Sequence, residues 1–147
     1  MKTWVRHWPI YLPAAAVLLF GAGFVVTLVV QSQYPEIKVA DQEVVGGRVT
    51  IDKAFLPTNG FVAIHASDAD GGLDRSLSIG HAALESGLNL DVVIRLLQPV
   101  EGGTKLFAVI HRDSGADERY EFNQGAAGKD PILMVGGKPA AVAFFVG

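Results

Sequence analysis

The chain has 147 residues, half of them apolar, with 18% charged residues, a formal net charge of −3 and no cysteine. This is too apolar for a disordered tail, and the lack of cysteine excludes disulfides, thiolate metal sites and thiol catalysis. Beyond residue 35 remain 112 residues carrying 10 basic and 15 acidic side chains, a net charge of −5 that speaks against nucleic acid as a partner.

Residues 1–9 hold Lys2, Arg6 and His7, and Ile10 to Val30 follows as 21 residues without a charge, 17 of them apolar. A helix of that length is about 31 Å long, enough to cross a bilayer. The basic residues before it place the N-terminus in the cytoplasm and the C-terminal domain outside, so a single-pass cell-membrane protein is expected. Its apolar run is longer than that of a cleavable signal peptide, which argues for retention as an anchor. Within the span Ala14, Ala15 and Ala16 recur one heptad later as Gly21, Ala22 and Gly23. Such a groove of small residues suits packing against another membrane helix, making other membrane-protein subunits expected partners. Residues 31–35 form a short linker.

From residue 36 to 147 the pattern changes to period two and to short apolar runs bounded by glycine, proline and acidic residues, which predicts strands. Strands are expected at Glu36–Val45 and Arg48–Phe55, joined by a turn at Gly46-Gly47, then at Gly60–Ala66 and Leu73–Gly80. His81–Gly87 reads as one short helical turn. In the next strand Leu88, Leu90, Val92, Ile94 and Leu96 alternate with more polar residues, predicting one core-facing row. Further strands are expected at Lys105–Arg112, Arg119–Phe122, Ile132–Val135 and Ala140–Val146, with Gly136-Gly137 joining the last two. The fold class is therefore all-β: an antiparallel, immunoglobulin-like β-sandwich of seven to nine strands, preceded by one transmembrane helix.

Phe61-Val62-Ala63-Ile64-His65 and Phe107-Ala108-Val109-Ile110-His111 match in type at every position, 46 residues apart. If their strands are neighbours, His65 and His111 offer two imidazoles for copper or zinc, with His81 or Met134 as a third ligand. The simpler reading has each histidine closing its strand through a hydrogen bond. Asp113, Asp117 and Glu121 are spaced like oxygen ligands of calcium, although Gly115 and Arg119 break the EF-hand pattern. No nucleophile elbow, phosphate loop or zinc-protease motif is present, so no catalytic residue, no enzyme activity and no cofactor is expected.

Gly60-Phe61-Val62-Ala63-Ile64-His65, Leu77-Ser78-Ile79-Gly80, Leu84-Glu85-Ser86-Gly87 and Asp91-Val92-Val93-Ile94-Arg95-Leu96 precede the most specific block. That block is Leu106-Phe107-Ala108-Val109-Ile110-His111-Arg112-Asp113 followed by Tyr120-Glu121-Phe122. Together with the closing stretch from Asp130-Pro131 to Phe145, these segments resemble a domain of unknown function found in cell-surface proteins of halophilic archaea and in some bacteria. The likeness covers residues 45 to 147. It implies a secreted or membrane-tethered β-sandwich and brings no activity with it.

The expected function is that of a non-catalytic interaction module outside the membrane, as an accessory subunit of a larger complex such as an electron-transfer assembly. The short tether and the small-residue groove motivate that expectation, and a soluble extracytoplasmic protein is a further possible partner. Two alternatives stand beside it: a copper-binding domain using His65 and His111, and a cell-surface adhesion module.

Overall fold

The computed structural model describes residues 34–122 and 129–147. The expected span Ile10–Val30, its packing residues Ala14, Ala15, Ala16, Gly21, Ala22 and Gly23, and most of the linker lie outside them. Among the described residues no helix is long and apolar enough to cross a membrane.

Among the described residues nine strands follow one another in chain order: β1 Glu36–Lys38, β2 Arg48–Leu56, β3 Gly60–Ser67, β4 Leu73–Leu84, β5 Gly87–Arg95, β6 Lys105–Arg112, β7 Met134–Val135, β8 Lys138–Pro139 and β9 Ala141–Phe145. They pair antiparallel into a three-stranded sheet of order β1-β2-β5, a four-stranded sheet of order β4-β3-β6-β9, and the small hairpin β7-β8. The first two form a β-sandwich. Its core joins Val49, Ile51, Ala54, Leu56, Val92 and Ile94 from the first sheet to Val62, Ile64, Leu106, Ala108, Ile110 and Phe144 from the second. All-β architecture and antiparallel pairing are as the periodicity predicts.

The β1–β2 connection closes where expected. Gly46 and Gly47 both adopt positive φ, 59° and 70°, while Val45 and Arg48 exchange two backbone hydrogen bonds; this is the backbone of a two-residue hairpin turn. The strand predicted over Glu36–Val45 is nevertheless cut short at Lys38. Gln42 turns its main chain to β9, donating to Phe145 O at 3.0 Å and accepting from Gly147 N at 2.9 Å. Its side chain holds the old neighbour, accepting from Thr50 N at 2.7 Å and donating to Thr50 O at 2.8 Å. One residue thus ties β2 of one sheet to β9 of the other.

Two further expectations are corrected. His81–Gly87 is no helical turn: β4 runs on to Leu84, with Ala83, Ala82 and His81 opposite Phe61, Val62 and Ala63. Pairing with a buried neighbour overrides the helical propensity of Ala-Ala-Leu. Arg119–Phe122 is no strand either; it lies in the connection after β6. Ile132–Val135 contributes only an isolated bridge from Ile132 to His111 and the two residues of β7.

The row predicted along β5 breaks in its middle. Val92, Ile94 and Leu96 are buried, but Leu88 and Leu90 are 59% and 60% exposed. Asp91 adopts φ +50° between the Ile51–Val92 and Lys53–Leu90 pairs. β2 changes phase at the same level, burying Val49 and Ile51 and then Ala54 and Leu56. One left-handed residue therefore reverses which face is wet on both strands.

On β4 the register slips next to His65, and the bulge turns Ile79 O toward the other sheet, where Leu97 N donates to it at 2.7 Å. Gly80 sits at this crossing, and a Cβ there would stand 2.7 Å from Arg95 O and 3.2 Å from Ile94 Cγ2. Gly80→Ala is expected to cost about 1–3 kcal/mol through overpacking. Urea unfolding checks this: a lowered midpoint with an unchanged slope is the expected result.

Candidate functional site

The two central strands of the four-stranded sheet, β3 and β6, are buried on both faces. Even-numbered residues of β3 and β6 enter the sandwich core, whereas Phe61, Ala63, His65, Val109 and His111 point the other way and are still at most 1% exposed. Rings from the connection after β6 lie against this outer face, with Tyr120 against Phe61 and His111, and Phe122 against His65 and His111. Outside the main core, then, lies a second, smaller one built around two histidines.

The two sequence-matched segments pair with each other. Phe61 faces His111, Ala63 faces Val109 and His65 faces Phe107 across the β3–β6 ladder. The antiparallel register thus sets the histidines two pairs apart on one face, leaning toward each other over Ala63 and Val109. Their rings are nearly parallel, 6° between planes. The centroids are 5.2 Å apart while the two Nε2 atoms are 3.0 Å apart, so the rings lie end to end, tip facing tip.

The other nitrogens fix the protons. His65 Nδ1 lies 2.8 Å from Asp74 O, and His111 Nδ1 lies 2.8 Å from Asp130 O. A carbonyl only accepts, so both Nδ1 atoms carry a hydrogen and donate it. Each Nε2 then points a lone pair at the other. A third proton would close the gap as a hydrogen bond, at the cost of a positive charge in a dry site. Burial pushes the His111 imidazole down to about 4, against the opposing pull of the Asp130 carbonyl and carboxylate. Burial lowers His65 as well, with Asp74 opposing. Burial thus favours the uncharged pair, in which both tips are bare.

Asp130 is the residue that sequence reasoning missed. It is fully buried with φ +45°. Its Oδ1 accepts from Ser114 N at 3.0 Å and its Oδ2 from Glu121 N at 2.6 Å, while its own N donates to Ser114 Oγ at 3.0 Å. The connection after β6 is folded around this carboxylate, and the same residue's carbonyl holds His111. The signals available were an Asp-Pro step and the spaced aromatics Tyr120 and Phe122, which read as a strand. Burial also pushes the Tyr120 hydroxyl up to about 12, against Ser78.

The expected third ligands are elsewhere. His81 is stacked on Tyr120 with centroids 4.3 Å apart, its imidazole lowered by burial, and Met134 is 46% exposed on the β7–β8 hairpin. The carboxylates singled out for calcium serve their own turn. Asp113 Oδ2 accepts from Glu118 N at 3.0 Å, Asp117 Oδ1 from Arg119 N at 3.1 Å, and Glu121 pairs with Lys129 at 2.7 Å. Among the described residues no three histidine, aspartate or glutamate side chains are grouped to hold a metal ion.

The family model described as "Domain of unknown function (DUF7282)" matches residues 35–146. Cell surface glycoprotein 2 of Haloarcula hispanica is 34% identical over 95 residues, which covers 64% of this chain and 10% of the glycoprotein. Cell surface glycoprotein 1 of the same organism is 30% identical over 95 residues, with the same two shares. The chain thus spans about a tenth of the length of the curated relatives it matches. No solved structure matches it.

Proposed function

On the premise that the chain belongs to the DUF7282 family of domains of unknown function, we propose that it is a surface-exposed, non-catalytic module that meets a protein partner through the outer face of its three-stranded sheet. The observation that carries this reading is the phase reversal at Asp91. It leaves Leu88, Leu90 and Val93 between 55% and 60% exposed on the edge strand β5, with Phe55 directly opposite Leu88 and the Lys53–Glu36 ion pair beside them. Contiguous exposed apolar side chains rimmed by charge mark contact surfaces. The names of the two relatives support a surface location. They lend nothing to an accessory role in electron transfer, whose other motive, the tethered span, lies outside the described residues.

The lack of native cysteine makes the test direct. Single variants Leu90→Cys and Arg75→Cys, the second on exposed β4, are treated on intact cells with a membrane-impermeant maleimide. Arg75→Cys is expected to label fully, and Leu90→Cys to be protected and to form protein adducts when a photo-crosslinker is attached there. Equal labelling at both positions would sink the contact surface, and no labelling at either would sink the surface location.

A further inference from the structure

We propose that His65 and His111 form a two-coordinate, all-nitrogen site for a monovalent soft cation, Cu(I), for which Ag(I) is a closed-shell surrogate. The site is independent of the apolar face of β5 and lies on the other sheet. Three observations carry it. Two fully buried imidazoles aim their Nε2 lone pairs at each other in nearly parallel planes, 3.0 Å apart. A cation in line between them converts that contact into two bonds.

Each ring is also held from behind by an Nδ1–H bond to a backbone carbonyl, at 2.8 Å in both cases. This is the outer-shell support that fixes the tautomer and direction of a metal-binding histidine. The walls are Phe122 and Tyr120 and the floor is Ala63 with Val109, so among the described residues nothing supplies the third and fourth donors that Zn(II) requires or the six or more oxygens of Ca(II). Linear coordination by two nitrogens is the geometry left, and it is one that a filled-shell monovalent ion accepts.

With each metal–nitrogen bond near 2 Å the tips would stand about 4 Å apart, an opening of roughly 1 Å that a small withdrawal of each ring supplies.

The full-length protein in mild detergent, under anaerobic reducing conditions, is titrated with Cu(I) against a chromophoric chelator and in parallel with Ag(I). One equivalent is expected to bind. His65→Gln and His111→Gln are each expected to weaken binding by on the order of 100-fold or more, while Met134→Leu leaves it unchanged. Circular dichroism shows whether the variants fold. Should they not, X-ray absorption on the Cu(I)-loaded wild-type protein decides instead, with two nitrogen scatterers in line and no sulfur as the expected first shell. No uptake at equimolar supply would mean that the gap takes a proton only and would overturn the proposal. A sulfur scatterer, or affinity retained in folded histidine variants, would overturn it equally.

Discussion

Asp130→Ala is expected to lower the stability of the β-sandwich by about 3 kcal/mol and to loosen the cover over the histidine pair. The carboxylate is fully buried and accepts the N–H groups of Ser114 and Glu121 at 3.0 and 2.6 Å. Without it those two partly buried donors lose hydrogen bonds to a charged acceptor, at roughly 1.5–3 kcal/mol apiece, offset in part by relief from holding a charge out of water. Alanine is also a poor occupant of φ +45°. Asp130→Asn separates these contributions. Asparagine tolerates the backbone and keeps one accepting oxygen, so it should lose about half as much. Denaturant unfolding of the two variants gives the magnitudes, and near-ultraviolet dichroism of Tyr120 reports the cover. Equal losses in both variants would place the effect in the charge and not in the hydrogen bonds.

The residues that were legible in the sequence are those whose structure depends on near neighbours. Lys105–Arg112 is a strand with the predicted bounds, and Gly46-Gly47 turns as its composition requires. β5 misled because its alternation holds in the sequence and fails in space. A left-handed backbone at Asp91 moves Leu88 and Leu90 to the other face, and the ladder resumes in the same register from Lys53–Leu90 onward. His81–Gly87 misled in the opposite way, since helix-forming residues were recruited by the hydrogen-bonding edge of the buried segment Phe61–Ala63. The histidines stood out as a repeated strand ending. Their tip-to-tip contact did not, because it follows from the repeats pairing with each other antiparallel, a tertiary choice with no local mark. Asp130 was invisible for a similar reason. Its partners lie 9 and 16 residues away, and only the closed loop brings them to one carboxylate.

Acid should unfold the metal-free protein well before its carboxylates are exhausted. In the unfolded chain His111 titrates near 6.5, and in the folded protein burial, the largest influence, holds it down at about 4. A group whose folded pKa is depressed leaves stability undisturbed above its unfolded value and removes it as pH falls toward the folded value. Between pH 6.5 and 4 the unfolded chain takes up a proton that the folded chain refuses. This amounts to about 3 kcal/mol for His111 alone, and His65 adds to it with the same sign. Against the marginal stability of a small domain this is a large share. Urea midpoints measured across this window should therefore fall steeply below pH 6.5 and little between pH 7 and 8. In a His65→Leu, His111→Leu variant, which replaces both tips with apolar groups of similar bulk, the fall should flatten even if the midpoint at pH 7 also drops. A double variant as acid-sensitive as the parent would assign the loss to other groups and not to the buried pair.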